Sequence, residues 1–424
     1  MDVERFHFSH MRVIVLNTGT EILLGDVINT HLSFIAHEIL PLGLRVERQI
    51  AIPDGSAIGD ALGENFKCAD LIFVTGGLGP TTDDLTREIT AELIGLDLEF
   101  DPALAASITE RLTTRGIRLT DRILRQAHVP RGALVLPNEN GSASGLYLAA
   151  GLNRAVASPH LFLLPGPPRE LQPMFRRSVL PLLSKIVRQE EAVAYLNYRI
   201  AGMGESYVEE AVGADLLAIS GLELGYCARM GEVDLRVIGS AETVEQADAI
   251  VRKRLGRFIF STEREDLETV IVRQLSAKKA TLAVAESCTG GFLAHRLTNV
   301  PGASTVFLAG YVTYSNEAKV AALAVDAAAI SEHGAVSEPV ARAMAEGARL
   351  KSGADFALAT TGIAGPGGGS AVKPVGTAYI ALAGGGEAIV RHFFFPTDRE
   401  TFKQLVTQTA LNLLRERLNR GGGL

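Results

Sequence analysis

The sequence predicts an α/β protein built from a doubly wound N-terminal domain, a small α+β module and a C-terminal α/β domain. Three observations lead to this prediction. The 424 residues exceed what one hydrophobic core usually accommodates. Apolar β-branched runs alternate with amphipathic helical segments in the first and last parts of the chain. In the middle, two strands follow each other as a hairpin. The predicted boundaries are a leader at 1–10 and domains at 11–185, 190–262 and 265–420.

Composition and charge exclude several classes of protein. Apolar residues make up 47% of the chain and charged residues 21%, which is typical of a globular protein. The formal net charge of −7 disfavours nucleic acid as a partner. No apolar run reaches the roughly 18 residues of a membrane span. The three cysteines are far apart and predict neither a disulfide framework nor a zinc site, so we expect a cytoplasmic protein.

The N-terminal domain begins with strands and helices in alternation. Apolar, β-branched runs predict strands, and helical spacing of apolar residues predicts the helices between them. The strands are predicted at 13–16, 46–52 and 71–75, and the helices at 32–40 and 57–66. This alternation indicates a parallel sheet with helices on both faces. Such sheets bind ligands at the carboxyl ends of their strands.

The loops at those strand ends contain residues suited to phosphate and metal. Glycines let the backbone approach a ligand, threonine hydroxyls donate hydrogen bonds, and carboxylates hold Mg²⁺. The residues are Gly76, Gly77, Gly79, Thr81, Thr82, Asp83 and Asp84, with Glu21 from the first loop. The alternative is that the two aspartates only cap the following helix. Neither a Walker loop nor a dinucleotide-binding glycine motif is present.

The middle segment is predicted to contain a strand at 193–201, a helix at 205–212, a hairpin turning at Gly231-Glu232 and a closing amphipathic helix. Acidic residues stand where a phosphate track would need lysine or arginine, namely Glu205, Glu209, Glu210, Glu232 and Asp234. Only the closing helix is basic. We therefore expect a spacer or a dimerisation element in a homodimer rather than a nucleic-acid site.

In the last domain, a buried strand at 281–285 runs into a turn of small residues and a helix. This places Ser287 and Thr289 at a helix N-terminus, where free amides near Gly290 can stabilise an oxyanion. The paired Gly290 and Gly291 let a planar ligand approach. The next strand ends before Tyr314 and Lys319. Neighbouring parallel strands end at the same edge, so Lys319 can face Ser287 as its base.

Structural alternatives remain open for the same residues. Ser287 and Thr289 would serve equally well as helix caps, and Lys319 would suit a solvated helix face. Cys288 is a rival nucleophile, but its side chain points away from that of Ser287 while the chain is extended. We expect Cys288 to be a buried packing thiol.

A glycine-rich loop and a cation complete this candidate site. The strand at 356–361 ends at Thr361 and leads into a loop from Gly362 to Pro374 that includes Gly365. Its backbone can wrap a ligand. Arg399 lies in the first turn of the closing helix, where its charge opposes the helix dipole. This position suggests phosphate binding, with a surface salt bridge as the alternative.

Three N-terminal motifs carry a resemblance to a known family: NTGTEILLG at 17–25, TGGLGPTTDDLT at 75–86 and LPGPPRE at 164–170. They resemble the competence/damage-inducible protein A family, whose N-terminal domain is similar to molybdopterin-binding proteins and whose middle module is KH-like. The resemblance implies a metal-dependent ADP-ribose pyrophosphatase. In it, Asp83 and Asp84 bind Mg²⁺ or Co²⁺ near Glu21, the glycines and Thr81 bind pyrophosphate, and Asn29 contacts the ligand.

The C-terminal motifs AESCTGG at 285–291, YVTYSNEAK at 311–319, HGAVSEP at 333–339, GIAGP at 362–366 and KPVGT at 373–377 resemble the nicotinamide mononucleotide amidohydrolase family. The resemblance implies Ser287 as nucleophile, Lys319 as base, and Tyr314 and Thr289 as supporting groups. It also implies substrate binding by the 362–369 loop and Arg399, with no cofactor. A non-catalytic protein that binds a pterin or competence factors is the alternative.

Overall fold

The computed structural model describes residues 4–8, 11–187 and 191–420, which form two compact units, one within residues 5–193 and one within residues 194–420. Residues 4–8 of the predicted leader form a strand. Across the described part of the chain, every helix is too short or too polar to cross a bilayer.

The described residues of the first unit contain eight strands and eight α-helices, in addition to a strand that begins at Glu4, outside this unit. The strands are β1 (Glu4–Phe8), β2 (Val13–Thr18), β3 (Val46–Ile52), β4 (Leu71–Thr75), β5 (Leu98–Phe100), β6 (His128–Pro130), β7 (Leu134–Leu136), β8 (Gly145–Leu148) and β9 (His160–Leu164). The helices are α1 (Thr20–Leu24), α2 (His31–Ile39), α3 (Ala57–Phe66), α4 (Thr86–Ile94), α5 (Pro102–Thr114), α6 (Asp121–Leu124), α7 (Pro168–Met174) and α8 (Leu180–Ile186).

The main sheet of this unit has the strand order β3-β2-β4-β9-β8-β7. Strands β3, β2, β4 and β9 are parallel, whereas β8 and β7 run antiparallel to their neighbours. The prediction of a parallel sheet is therefore wrong at one edge, because β7, β8 and β9 are joined without crossover helices. The chain leaves β2 toward β3 and returns to β4 on the other side, which opens a crevice at the carboxyl ends of β2 and β4.

The predicted covering of both sheet faces is confirmed. Alternate residues of β2 point into different cores: Ile14 and Leu16 pack with α3, and Val13 and Val15 pack with α2. The period of two along a strand produces this alternation. Since both faces are apolar, β2 is buried over its whole length.

The second unit contains the module and the C-terminal domain. Its strands are β10 (Glu191–Ala201), β11 (Glu223–Arg229), β12 (Glu232–Gly239), β13 (Ile259–Ser261), β14 (Leu282–Glu286), β15 (Phe307–Val312), β16 (Phe356–Gly362), β17 (Thr377–Ala383) and β18 (Ile389–Phe394). Its helices are α9 (Glu205–Leu217), α10 (Ala241–Leu255), α11 (Leu267–Lys278), α12 (Phe292–Thr298), α13 (Asn316–Leu323), α14 (Ala327–His333), α15 (Glu338–Ser352) and α16 (Arg399–Arg420).

The module is α+β, as predicted, with antiparallel pairing of β11 to β12, β12 to β10, and β10 to β13. Helices α9 and α10 pack on one face of its sheet. Glu232 and Asp234 are buried rather than part of an acidic surface. On α10, Arg252 and Arg254 are paired with aspartates. The basic helix face is thus partly neutralised within the module.

The C-terminal sheet has the order β15-β14-β16-β17-β18, with the first three strands parallel and the last two forming an antiparallel hairpin. Helices α11, α12 and α16 cover one face, and α13, α14 and α15 cover the other. The second face is lined by alanines of β14, β16 and α15, which let helix and sheet approach closely. The carboxyl ends of β14, β15 and β16 meet at one edge of the sheet.

Candidate active site

Ser287 follows directly after β14 and stands at the carboxyl edge of the sheet. Its amide donates to the Thr360 carbonyl on β16 at 2.9 Å, so the loop leaves the sheet from a fixed point. The side chain is half-buried. The nucleophile predicted from the sequence is therefore at the strand end, between the two neighbouring parallel strands.

Glu286, which sequence reasoning missed, organises the Ser287 loop. Its carboxylate is fully buried and accepts from the amides of Gly291 at 3.0 Å, Leu293 at 3.0 Å and Ala294 at 2.8 Å. It also accepts from the Thr289 hydroxyl at 2.6 Å. The carboxylate thus satisfies the first free amides of α12. An acidic residue closing a buried apolar strand was the available signal.

The helix-capping alternative for Ser287 and Thr289 is wrong. Gly291 occupies the N-cap position of α12, and the Glu286 carboxylate accepts from the free amides in the first turn of that helix. Thr289 is fully buried, and its hydroxyl contacts Glu286 and the Thr360 hydroxyl. The Thr289 side chain therefore stabilises the loop from its buried side and does not face a ligand. The Ser287 hydroxyl is not used for capping.

Lys319 lies on α13 with only 1% of its surface exposed, so the solvated-face alternative is wrong. Its Nζ is 3.1 Å from Ser287 Oγ and donates to the carbonyls of Thr313 at 2.8 Å and Tyr314 at 3.4 Å. Burial lowers the pKa of the Lys319 amine, against smaller opposing effects of Cys288 and Glu317. The described residues place no carboxylate in an ion pair with it. These conditions favour a neutral amine.

Cys288 occupies the core, as expected from its position on the chain. Its side chain packs with Leu293 and Leu297 and is 5% exposed. Burial raises the pKa of the Cys288 thiol to about 12, so the nucleophilic thiolate is scarce at neutral pH. The geometry leaves Ser287 as the hydroxyl that faces Lys319.

The sequence predicts oxyanion donors among the amides near Gly290, and the hydrogen bonds of this turn limit which of them are available. The Gly290 amide donates to the Ser287 carbonyl at 3.2 Å, and that of Gly291 donates to Glu286. Both are engaged because the turn closes on itself and on the buried carboxylate. Among the described residues, the Thr289 amide has no hydrogen-bond acceptor, and the Cys288 amide contacts only the thiol of its own side chain. These two are the loop's candidate oxyanion donors.

Arg399 brings three predicted residues together at the mouth of the site. Its Nη2 donates to the Tyr314 hydroxyl at 2.8 Å, and its Nη1 donates to the Gly365 carbonyl at 2.9 Å. Asp398 caps α16 through the amides of Glu400 and Thr401. The guanidinium forms no ion pair with a carboxylate of the described chain, so the salt-bridge alternative is wrong.

Lys403 is a second cation that sequence reasoning missed. It lies one helical turn after Arg399, and its Nζ is 4.0 Å from the point where a Cβ on Gly290 would stand. Its ammonium is unpaired within the part of the chain that the structure describes. The i, i+4 spacing from Arg399 was the available signal. The two cations give the rim of the Ser287 site a positive charge.

Two predicted substrate-binding residues have a supporting position instead. Thr361 is fully buried and donates its hydroxyl to the Ala335 carbonyl at 2.9 Å. A Cβ on Gly362 would stand 2.8 Å from the Thr377 carbonyl and 2.9 Å from Phe402. Thr361 thus joins the end of β16 to the segment between α14 and α15, and Gly362 lets the loop begin in close contact with β17 and α16. Their predicted contact with substrate stays a prediction.

In the first unit, the glycine loop after β4 is packed against the protein itself. Gly76 and Gly77 have φ values of 103° and 68°, and a Cβ on either would clash with Thr18 or Thr86. Thr86 closes the loop by donating to the Gly76 carbonyl at 3.0 Å. The need for glycine at these two positions therefore follows from the loop's own packing, in addition to any ligand.

Asp83 and Asp84 do not cap α4, which begins at Thr86 after Leu85. Both accept from the Thr81 hydroxyl, at 2.5 Å for Asp83, and Asp84 also accepts from the Thr81 amide at 2.9 Å. A Cβ on Gly79 would stand 2.5 Å from Asp84. Mg²⁺ uses one or two carboxylates with water and substrate phosphates, so this donor set fits Mg²⁺. The described residues contain no cluster of three or more metal-binding side chains.

Other polar groups lie in the segment that follows β2 and at the end of β4. Glu21 lies on α1 with its carboxylate against Gly19. Asn29 accepts from the His31 amide at 2.9 Å, and its buried Nδ2 has no partner among the described residues. His31 Nδ1 is 3.1 Å from the Thr75 hydroxyl, and burial lowers the His31 pKa. Sequence reasoning missed His31 because a lone histidine has no pattern.

A pocket of about 270 Å³ in the same unit lies elsewhere, between α5 and the segment that joins β7 to β8. Its lining includes Ser107, Arg111, Asn138, Ser142 and Ser144. None of the ligand residues predicted for this domain line it. The predicted N-terminal site is thus an open crevice separate from this pocket.

Family models match the chain in three consecutive segments. Residues 14–185 match the probable molybdopterin binding domain, residues 197–261 match the damage-inducible protein CinA KH domain, and residues 264–418 match the CinA C-terminal domain. The three segments agree with the predicted doubly wound domain, KH-like module and C-terminal domain.

Relatives extend over nearly the whole chain. A CinA-like protein of Akkermansia muciniphila is 44% identical over 95% of this chain and 96% of its own length. A putative competence-damage inducible protein of Moorella thermoacetica is 44% identical over 95% of this chain and 98% of its own. A solved competence/damage inducible protein of Agrobacterium tumefaciens is 39% identical, with a TM-score of 0.36, and covers 38% of this chain and 98% of its own.

Proposed function

The chain belongs to the competence/damage-inducible CinA family, and from this premise we propose that its C-terminal domain hydrolyses the carboxamide of nicotinamide mononucleotide. The products are nicotinate mononucleotide and ammonia. Ser287 is the nucleophile and Lys319 the general base. The contact of 3.1 Å between Lys319 Nζ and Ser287 Oγ carries this proposal, because a serine hydroxyl needs a positioned base to attack an amide.

The acylation step uses the Ser287–Lys319 pair. The neutral amine of Lys319 accepts the hydroxyl proton as Ser287 Oγ bonds to the carboxamide carbon. The resulting oxyanion is stabilised by the amides of Cys288 and Thr289, and the carbon–nitrogen bond then breaks as Lys319 returns the proton to the leaving nitrogen. Ammonia departs and leaves an ester on Ser287.

Deacylation repeats the same proton transfers with water. Lys319 accepts a proton from water, whose oxygen attacks the ester carbon, and the proton returns to Ser287 Oγ as the ester bond breaks. The acid product is released and the enzyme regains its starting protonation. The carbonyls of Thr313 and Tyr314 accept from the charged amine between these transfers and keep it in place.

The phosphate of the substrate is assigned to Arg399 and Lys403. Two cations on one face of α16, neither paired with a carboxylate in the described structure, suit a dianionic phosphate monoester. Lys403 lies near Gly290 and Arg399 near Tyr314, so the phosphate end and the reacting carboxamide share one opening.

Replacement of Ser287 tests the proposal. Ser287→Ala should abolish ammonia release from nicotinamide mononucleotide, whereas Cys288→Ala, the matched neighbour, should keep most of it. Turnover that survives in Ser287→Ala, or is lost only in Cys288→Ala, would contradict the assignment. Thermal unfolding of both variants controls for misfolding.

We propose a second activity for the first unit, the metal-dependent hydrolysis of ADP-ribose to AMP and ribose phosphate. Asp83 and Asp84 both accept hydrogen bonds from Thr81 and do not cap α4, and this arrangement supports the proposed pyrophosphatase activity. Asp83 and Asp84 would hold the Mg²⁺, which when bound neutralises pyrophosphate charge. The unpartnered amide of Asn29 is a donor for the same ligand.

Asp84→Ala should remove ADP-ribose hydrolysis measured with added Mg²⁺ or Co²⁺, and Asp26→Ala, which changes an exposed aspartate of the same unit, should not. A protein that binds a pterin tightly but leaves ADP-ribose intact would favour the non-catalytic binding alternative for this unit.

A further inference from the structure

The turn of the β11–β12 hairpin contacts the last helix of the C-terminal domain. A Cβ built on Gly231 would stand 2.9 Å from Gln408 Cγ and 3.2 Å from Gln408 Cβ. Gly231 also has a φ of 73°, so two independent constraints require glycine at this contact. The hairpin of the module is therefore fitted closely to α16.

Next to Gly231, a buried polar chain runs from the module into the C-terminal domain. Arg199 on β10 donates to Glu232 Oε1. Gln408 Nε2 donates to Glu232 Oε2 at 2.8 Å, and Arg296 on α12 donates to Gln408 Oε1 at 2.7 Å. Arg199, Glu232 and Gln408 are each less than one-tenth exposed. Such a chain is well defined because every buried member needs its partner.

The donors and acceptors of this chain have a fixed direction. An arginine at each end only donates, so Glu232 must accept twice and Gln408 must accept from Arg296 while donating to Glu232. Asp266 and Glu268 anchor the two ends, accepting from Arg199 at 2.7 Å and from Arg296 at 2.6 Å. No reversal of the Gln408 amide satisfies both neighbours.

The chain ends on the two helices that carry the active site. Arg296 lies on α12, whose first amides are held by Glu286 beside Ser287. Gln408 lies on α16, whose first turn carries Arg399 and whose second carries Lys403. The Gln408 side-chain amide thus connects three parts of the structure: α12, which follows the Ser287 turn, α16, which carries Arg399 and Lys403, and the module.

We propose that Glu232 and Gln408 are positioning residues for the Ser287 site, so that the KH-like module holds α12 and α16 in their reactive arrangement. This inference rests on the proposed amidohydrolase function. It assigns the module a part in catalysis, without contact to substrate, instead of the spacer role expected from the sequence.

An exchange of the two side chains tests the direction of the chain. In Glu232→Gln, the NH₂ group of the new side chain meets a donor in either orientation, from Arg199 in one and from the Gln408 amide in the other. In Gln408→Glu, two carboxylates meet. In the double variant, the amide at 232 accepts from Arg199 and donates to the carboxylate at 408, which still accepts from Arg296. All hydrogen bonds and the net charge are then restored.

We expect each single variant to lower kcat for ammonia release by roughly tenfold with a smaller change in KM. The double variant should recover to within about threefold of the unmodified protein. Glu245→Gln, an exposed residue of the same module, is the control for loss of one acidic group and should have no effect. Thermal midpoints are measured so that all assays are run on folded protein.

Single variants with unchanged kcat, or losses that add up in the double variant, would overturn the inference. A lower thermal midpoint with normal kcat would also overturn it, since a purely structural contact predicts that result. If the unmodified protein releases no ammonia, the proposed function fails instead. The labelling rate of Ser287 by a fluorophosphonate, compared across the same variants, then decides whether the module positions that serine.

Discussion

Among single residues, the proposed catalysis depends on Lys319, a lysine that is buried without a carboxylate partner in the described structure. Burial lowers the Lys319 pKa below its usual 10.5, so the native state binds fewer protons than the unfolded state between the native pKa and 10.5. The contribution of Lys319 to the free energy of unfolding therefore rises as the pH increases from the native pKa to 10.5. Below the native pKa, the folded protein carries the full cost of a buried charge.

Lys319→Met should lower ammonia release by roughly 10²–10⁴-fold, the usual contribution of a general base, because Ser287 loses its proton acceptor. The variant should melt no lower than the unmodified protein at pH 7, since methionine fills the space without the cost of burying an ionisable amine. Its stability advantage should shrink as pH approaches 10.5. Activity assays and thermal unfolding across pH measure both effects. A variant that keeps its activity would contradict the role of Lys319.

Cys288 should be silent to thiol reagents. It is buried, and its pKa of about 12 leaves little thiolate at neutral pH. Iodoacetamide at pH 7 should leave ammonia release unchanged, while the exposed Cys227 becomes labelled and serves as the internal control. Rapid inactivation that parallels labelling of Cys288 would show that the thiol is accessible.

Residue types and strand-end placement indicated the Ser287–Lys319 pair only beside the alternatives of helix caps and a solvated lysine, and the resemblance to the amidohydrolase family implied their roles. They did not predict Glu286, Lys403 or His31. Each of these is a single residue whose importance follows from a contact made in three dimensions, such as the three amides that meet the Glu286 carboxylate. Sequence reasoning placed the oxyanion donors near Gly290, and it did not show that the closed turn engages the amides of Gly290 and Gly291 themselves.

At the scale of elements, the N-terminus of α12 depends on the Glu286 carboxylate. Glu286→Gln should lower the free energy of unfolding by about 2–4 kcal/mol, because an amide cannot accept from all the donors that meet there. It should also lower the reactivity of Ser287 in the adjacent turn. Denaturant unfolding and fluorophosphonate labelling are the measurements. Glu346→Gln, an exposed acid on α15, is the control, and an equal effect of both variants would contradict this role.

The first two turns of α16 should set affinity for the substrate's phosphate. Lys403→Met should raise KM for nicotinamide mononucleotide roughly tenfold with little change in kcat, since a charged hydrogen bond is lost. With nicotinamide riboside, which lacks the phosphate, the variant and the unmodified protein should be equal. Lys351→Met, on the exposed surface of α15, is the control. An equal loss on both substrates would contradict phosphate binding by Lys403.

Strands and their following loops were well predicted at this scale. The predicted ranges 46–52, 57–66 and 71–75 coincide with β3, α3 and β4. Apolar β-branched runs bounded by glycine or aspartate define such elements. The antiparallel edge of the first sheet was not predicted, because strands as short as β7 and β8 have too few residues to reveal their direction.

At the scale of the whole molecule, the two proposed sites belong to units that each have their own hydrophobic cores. Separate cores allow one site to change without loss of the other. Asp84→Ala should remove ADP-ribose hydrolysis and leave ammonia release within about twofold of normal, and Ser287→Ala should do the reverse. Both activities are measured on the same preparations. Loss of both activities in either variant would contradict separate sites.

Detection of the covalent intermediate is the sharpest test of Ser287 as the nucleophile. Enzyme mixed with nicotinamide mononucleotide, quenched in acid within the first turnover and digested, is examined by mass spectrometry. The proposed acylation predicts a nicotinoyl ribose phosphate ester on the peptide that contains Ser287, and no such ester in Ser287→Ala. An adduct located on Cys288, or normal ammonia release by Ser287→Ala, would contradict it.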